Sequence, residues 1–289
     1  MTCAAAPESD ARPVVRRFCC ATARERRVSR RRARSRWSPG FWLPTVVAVG
    51  VTAVVWELVA IGNPYLLPRL GLVGQQLITN TGYYLDNAWV TLSEALVGLA
   101  IGFAAALVVA VLVTESGILR RAIMPLAVIL NVMPVVAIAP ALVVAFGFGP
   151  APKLIVTALI TFFPMLMNLI TGLNSVSPPI LQVFSTLHAS RLEVLGRLRL
   201  PGSLPYVFAG LRVVFPLSLV GAVVAEFIAP GASKGLGTVI SVASANSKLA
   251  VVYAAIVCLA IMGALLLLGV TLLEKRVLRW HESQQPRQR

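Results

Sequence analysis

Long apolar runs separated by short polar clusters dominate this chain. A helix needs about 20 apolar residues to cross a ~30 Å hydrocarbon layer. Six runs meet that need: 41–61, 89–113, 123–146, 153–173, 206–228 and 249–272. The turn Gly147-Phe148-Gly149-Pro150 divides the third from the fourth. Pro134 and Pro140 interrupt the third run and free carbonyls that protein or a wet cavity must satisfy. Residues 62–86 contain Gly62, Asn63, Pro64, Pro68, Gly71 and Gly74, which predicts a turn-rich outer segment with one interfacial helix. No internal repeat or inverted pair of broken helices is evident. The pattern predicts an all-α integral membrane protein with about six transmembrane helices.

Composition agrees. The 289 residues are 57% hydrophobic and 13% charged, with a mean hydropathy of +0.82. Soluble domains carry roughly 45–50% apolar and about 25% charged residues, so these charges could not cover a soluble globule. The net charge of +15 is unevenly spread, with eleven arginines in residues 1–38 against Glu8, Asp10 and Glu25. Basic residues mark the cytoplasmic side. With the N-terminus inside, the cytoplasmic segments hold the tail arginines, Arg120, Arg121, Arg191, Arg197, Arg199 and the basic C-terminus from Lys275 onward. The outer loops hold only Arg69, Lys153, Lys234 and Lys248. Both termini are therefore predicted in the cytoplasm of a multi-pass plasma-membrane protein.

The run 41–61 exceeds the roughly 7–15 apolar residues of a signal peptide, and no A-x-A site follows. Residues 1–40 are accordingly expected to be a basic, disordered cytoplasmic tail. Its expected partner is the lipid bilayer and not nucleic acid, because a basic residue beside an anionic surface is worth about 1 kcal/mol. Residues 41–277 form the expected membrane domain, with a cytoplasmic loop at 174–205, and 278–289 a C-terminal tail.

That loop opens with Asn174, Ser175, Ser177, Pro178 and Pro179, which end the preceding helix. Over 180–198 the apolar Ile180, Val183, Phe184, Leu187, Val194, Leu195 and Leu198 alternate with Arg191, Glu193 and Arg197, which predicts one amphipathic helix. Pro201 and Pro205 are expected to end it. Its apolar side needs either the chain's own spans or a soluble partner.

Catalytic chemistry is missing from the sequence. It has no GxxxxGK[ST] loop, no HExxH or Cys/His metal pattern and no GxSxG elbow. Cys3, Cys19, Cys20 and Cys258 have neither metal spacing nor a disulfide framework, and His188 and His281 lie far apart. We expect no catalytic residue, metal site or cofactor in this chain, so energy for uphill transport would come from elsewhere.

Polar groups inside spans are costly and therefore informative. Asn131, Pro134, Thr157, Thr161, Asn168 and Glu226 are the candidates for a translocation path. Thr157, Thr161 and Asn168 share one helical face, which suits a pore lining or helix–helix hydrogen bonds. Glu226, near the outer end of the fifth span, reads either as a point on the path or brace of an outer gate, or as a hydrogen-bonded neutral or interfacial carboxyl. Glu57, beside Trp56, and Glu94 are expected at the interface. Gly98 and Gly102 form a GxxxG packing face.

The loop also carries a spaced motif: Gln182-Val183-Phe184, then His188, then Leu198 and Leu200-Pro201. It resembles the EAA-xxx-G, nine residues, I-x-L-P loop of permease subunits of binding-protein-dependent ABC importers. Leu187-His188-Ala189-Ser190 looks like the Leu-Gly-Ala-Ser of their nitrate/sulfonate/taurine-type branch. Asn63-Pro64 to Leu67-Pro68, Pro134 to Pro140 with Phe146 to Gly149, Phe162-Phe163-Pro164 with Asn168, Gly210-Leu211-Arg212, Gly221 to Glu226 and Gly235-Leu236-Gly237 extend the likeness over most of 62–281.

The resemblance implies a type I ABC importer permease fold. It implies coupling to a cytoplasmic ABC ATPase dimer through Leu187, His188, Ala189, Ser190, Leu195, Leu198, Leu200 and Pro201. ATP and Mg would belong to that ATPase. A second, identical permease chain and an extracytoplasmic solute-binding protein would complete the importer. The implied solute is a pyrimidine or other heterocyclic vitamin precursor, or a sulfonate, taurine or nitrate. Two departures stand out: Gln182-Val183-Phe184 lacks the acid, and His188 replaces a glycine that would tolerate a left-handed backbone. A stand-alone secondary transporter is the alternative to test, as is a membrane protein that only binds a partner.

Overall fold

The computed structural model describes residues 39–228 and 234–278, with backbone alone at 39–42, 45, 130 and 131. The expected N-terminal tail, Trp280 and His281 lie outside the described residues, as does the side chain of Asn131. All described elements are helical. They are α1 (Pro39–Gly62), α2 (Leu70–Thr79), α3 (Thr81–Glu115), α4 (Gly117–Val132), α5 (Val135–Phe146) and α6 (Pro150–Leu173). Next come α7 (Pro178–Thr186) and α8 (Arg191–Val194), which runs through a π turn (Leu195–Arg199) into α9 (Leu200–Ile228). The last two are α10 (Leu236–Ala245) and α11 (Leu249–Val277).

The chain divides into two units, Met1–Val54 with Gln285–Arg289, and Val55–Gln284. In the first, the described start of α1 exposes Leu43, Val46, Val47, Val49, Val51 and Val54, as lipid-facing side chains do. Thr52 returns its hydroxyl to the Ala48 carbonyl at 2.8 Å, so it leaves no unsatisfied donor in the apolar run. All packing described below lies within the second unit.

Among the described residues, four helices are long and apolar enough to cross a membrane: Thr81–Glu115, Pro150–Leu173, the continuous Arg191–Ile228 and Leu249–Val277. They account for the second, fourth, fifth and sixth expected spans, and α1, 24 residues long, for the first. The third differs. It is two helices, α4 and α5, that part at Met133-Pro134. Proline lacks an N–H and forces the residue before it out of the helical region, so Pro134 becomes the N-cap of α5. Pro140 stays inside α5 without ending it. The interfacial helix expected in 62–86 is α2.

The loop corrects two further expectations. Residues 180–198 are not one helix: α7 ends at Thr186 and α8 starts at Arg191. Nor do Pro201 and Pro205 end the helix, which passes through both to Ile228. A π turn stands just before the first of them. In it the Leu200 N–H reaches back to the Leu195 carbonyl, which shifts the hydrogen-bond register by one residue. Pro201, with no N–H to donate, follows directly on that shift, and Pro205 lies inside α9.

At the centre of the second unit α6 packs between α3 and α9. Glycines make both approaches close. A Cβ on Gly98 would lie 2.6 Å from the Thr157 Cβ, and one on Gly102 2.5 Å from the Thr161 Oγ1. On the other side, a Cβ on Gly221 would lie 3.1 Å from the Thr157 Cα, and one on Gly210 3.0 Å from the Asn168 Cβ. Helices in lipid associate through such small-residue contacts rather than through hydrophobic burial. The inner half of this packing buries Ala106, Ala110, Leu166, Leu169, Leu173 and Val214. The outer half buries Tyr84, Ala95, Leu219, Leu236, Val239 and Ala254, which joins α10 and α11 to α3 and α9.

Candidate functional site

Two places concentrate polar chemistry: the cytoplasmic loop and the outer ends of α3, α6 and α9. In the loop, α7 closes with a Schellman turn. The His188 N–H donates to the Ser185 carbonyl and the Ala189 N–H to the Phe184 carbonyl, each at 3.1 Å. This turn needs a left-handed residue just past the helix, the place glycine favours, and His188 occupies it at φ 55°. The next helix starts at once with a capping box. The Ser190 Oγ accepts the Glu193 N–H at 3.3 Å, and Glu193 Oε2 accepts the Ser190 N–H at 2.9 Å. Tip residues 187–190 are thereby fixed between two capped helix ends.

The loop residues then divide by depth. Leu187, His188, Ser190 and Leu200 are exposed, Ala189, Leu198 and Pro201 are half-buried, and Leu195 is buried with the inner core of α3, α6 and α9. No residue of α7 is buried. Ile180 and Val183 of α7, Leu187 at its end and Leu192 of α8 are all exposed apolar side chains, Leu192 by 78%. An ion pair between Arg199 and Glu115, 3.2 Å apart, ties the π turn to the inner end of α3. Arg212 pairs with Glu274, linking α9 to α11.

At the outer end, Asn87, Thr91 and Glu94 recur at i, i+4 and i+7 on one face of α3, and all three are buried. Glu94 meets the buried Lys153 Nζ at 2.9 Å. Lys153 stands in the first turn of α6, where the helix dipole disfavours a cation, and Glu94 offsets that. Both side chains are enclosed by protein rather than exposed in a loop.

Glu226 is fully buried beside them. Its Oε1 accepts the Thr91 hydroxyl at 2.8 Å and its Oε2 the Gly237 N–H at 2.5 Å. Thr91 Oγ1 accepts the Leu236 N–H at 2.8 Å, and Asn87 Oδ1 the Gly235 N–H at 2.9 Å. The first free amides of α10 are thus capped by side chains of two other helices. Such orphan donors would otherwise remain unpaired in an apolar layer, and the dipole of α10 places positive potential at the carboxylate. The glycines permit the approach: Gly235 has φ 152° and any Cβ there would overlap the carboxyl group, while one on Gly237 would lie 2.7 Å from Oε2.

Residues 98–279 match the model of the family described as binding-protein-dependent transport system inner membrane component. The chain belongs to this family. Relatives include a "Probable ABC transporter permease protein" of Haemophilus influenzae, 35% identical over 75% of this chain and 89% of that one. The "Formylaminopyrimidine transport permease protein ThiX" of Halalkalibacterium halodurans is 32% identical over 80% and 93% of the two chains. The "Taurine transport system permease protein TauC" of Escherichia coli is 30% identical over 86% and 94%. This is a multi-pass permease of the plasma membrane.

Within the permease, the residues considered for a path do not gather at one point. Thr157 and Thr161 are fully buried where α6 meets α3, and their hydroxyls return to the Lys153 and Thr157 carbonyls at 2.8 and 3.0 Å. Asn168 is half-buried and donates to the Pro164 carbonyl at 2.8 Å. Pro134 is exposed between α4 and α5. Glu226 joins the network that caps α10. The sequence does not single out Asn87 or Thr91 as members of that network, the buried Lys153–Glu94 pair beside it, or α10 as a helix. The spacing of Asn87, Thr91 and Glu94 in an otherwise apolar run was the available signal.

Proposed function

We propose that this permease is the membrane subunit of an ATP-driven importer. It would work as a pair of identical chains, with a cytoplasmic ATPase dimer that holds ATP and Mg and with an extracytoplasmic solute-binding protein. The observation that carries the reading is the set of exposed apolar side chains Ile180, Val183, Leu187 and Leu192. They lie on the cytoplasmic side, and no residue of α7 is buried. An exposed apolar patch of this kind marks a protein interaction surface. The rigid tip around His188, with Ala189, Ser190 and Leu200, enters the ATPase groove, while Leu195, Leu198 and Pro201 pass its movement to α9.

The solute we favour is a pyrimidine or related heterocyclic vitamin precursor, supported by the likeness to the formylaminopyrimidine permease. Sulfonates, taurine and nitrate come next. The path runs past Asn131, Pro134 and Asn168, and Thr157, Thr161 and Glu226 act from behind it by holding the wall helices together.

The test is uptake of labelled pyrimidine, taurine and nitrate in cells with the permease, without it, or with V183D/L187D. We expect one solute's uptake to depend on the chain, and the double variant to lose at least nine-tenths of it while remaining in the membrane. Uptake that survives V183D/L187D would identify a secondary transporter and overturn the proposal.

A further inference from the structure

Few basic residues lie on the outer side of this permease, yet two of them converge. Arg69, just before α2, and Lys248, just before α11, line one cavity of about 790 Å³. Its walls are the end of α1 at Ala60, the linker from Pro64 to Pro68, the start of α2, and the junction of α10 with α11. Gln76, Ser244 and Ser247 add neutral donors to the same space. Among the described residues, neither Arg69 nor Lys248 has an acidic partner. Glu57, whose Oε2 accepts the Leu70 N–H at 3.2 Å, is not among the residues that line the cavity.

The local backbone brings these groups together. α10 ends in a second Schellman turn, with the Ser247 N–H on the Ser244 carbonyl at 3.0 Å and the Lys248 N–H on the Ala243 carbonyl at 2.9 Å. Ser247 takes the left-handed conformation at φ 56°. The reversal brings Ser244, Ser247 and Lys248 to the cavity that Arg69 and Gln76 also line.

Aromatic anchors fix its depth. Trp56 and Tyr253 stack edge to face with ring centroids 5.1 Å apart. Trp56 Nε1 donates to the Pro68 carbonyl at 3.1 Å and the Tyr253 hydroxyl to the Leu66 carbonyl at 3.4 Å. Both thus hold the linker that walls the cavity. Trp and Tyr concentrate at the level of lipid headgroups. Leu66, Leu70 and Leu72 of the same region are exposed, as side chains beside acyl chains would be.

We propose that this cavity binds the headgroup of an anionic phospholipid. Its phosphate would lie between Arg69 and Lys248, with the serine hydroxyls and Gln76 on its remaining oxygens. A zwitterionic headgroup carries its own cation and gains less from two fixed positive charges. Each basic residue near a charged lipid contributes about one power-of-ten step or less. The preference therefore belongs to the pair, and it requires neither an ATPase nor a transported solute.

The full-length chain purified in detergent tests this by native mass spectrometry with added phosphatidylglycerol or phosphatidylcholine. We expect one phosphatidylglycerol per chain to be retained about tenfold more strongly than phosphatidylcholine. R69Q/K248Q should lose most of that preference, whereas R120Q/R121Q, which changes an exposed pair on the inner side, should keep it. Three results would each overturn the proposal. One is equal retention of the two lipids by the unaltered chain. Another is equal loss in both double variants. The third is displacement of phosphatidylglycerol by inorganic phosphate at matching concentration, which would mark a site for free anions.

Discussion

At φ 55° the side chain of His188 crowds its own backbone, a conformation that costs an L-residue about 1 kcal/mol or more and glycine almost nothing. A Schellman turn requires a left-handed residue at this point, where glycine is favoured, and the hydrogen bonds accepted by the Ser185 and Phe184 carbonyls show that turn here. H188G should therefore stabilise the tip by about 1 kcal/mol, measured as slower amide hydrogen exchange at residues 187–189. H188V, branched at Cβ, should accelerate that exchange. If H188G exchanged faster than the unaltered chain, the imidazole would be holding the turn by a contact of its own, and the strain argument would fail. The sequence allowed the question of handedness to be asked at His188, but only the backbone answers it.

Helix α10 depends on groups far from it in sequence. Asn87, Thr91 and Glu226 supply the acceptors for its first amides, and Thr91 also donates to Glu226. E226A would leave the buried Gly237 N–H without its acceptor and the Thr91 hydroxyl with only its longer bond to the Asn87 carbonyl, at a cost of about 1–3 kcal/mol. The purified protein should melt at a clearly lower temperature. E226Q keeps one acceptor oxygen and should fall between the two, and an E226A protein as stable as the unaltered chain would remove the cap from the account. This dependence explains what was legible. Spans announce themselves by length and apolarity, so α1, α3, α6, α9 and α11 could be read directly, and Gly98 and Gly102 could be recognised as a packing face. A ten-residue helix preceded by Gly235 and with Gly237 in its first turn announces little, because its first amides are capped by side chains distant in sequence. The same limit applied to Pro201. A proline predicts a helix end from local sterics, whereas here a π turn that contains the buried Leu195 precedes it and the helix goes on.

Across the whole molecule, the charge asymmetry and the polar networks serve different ends. Of the four basic residues assigned to the outer side, Lys153 is internal and paired, so the exposed outer charges are fewer than the sequence count implied. The inner side keeps Arg120, Arg121, Arg191, Arg197, Lys275 and Arg276 on or beside its helices. These suffice to orient the spans, so the eleven arginines of residues 1–38 are not needed for topology. We propose that they act instead by attraction to an anionic inner surface, worth about 1 kcal/mol for each residue that comes within a Debye length. Deleting residues 1–36 should therefore lower the amount of protein recovered in the membrane, by about two- to fivefold given that attraction. It should leave unchanged both the accessibility of Lys248 from outside and the ranking of pyrimidine, taurine and nitrate in competition uptake. Membrane yield and solute ranking would be measured on the same cells, because they separate the two roles. A changed ranking would mean that the tail reaches the solute path or its partners, and attraction to lipid alone could not produce that.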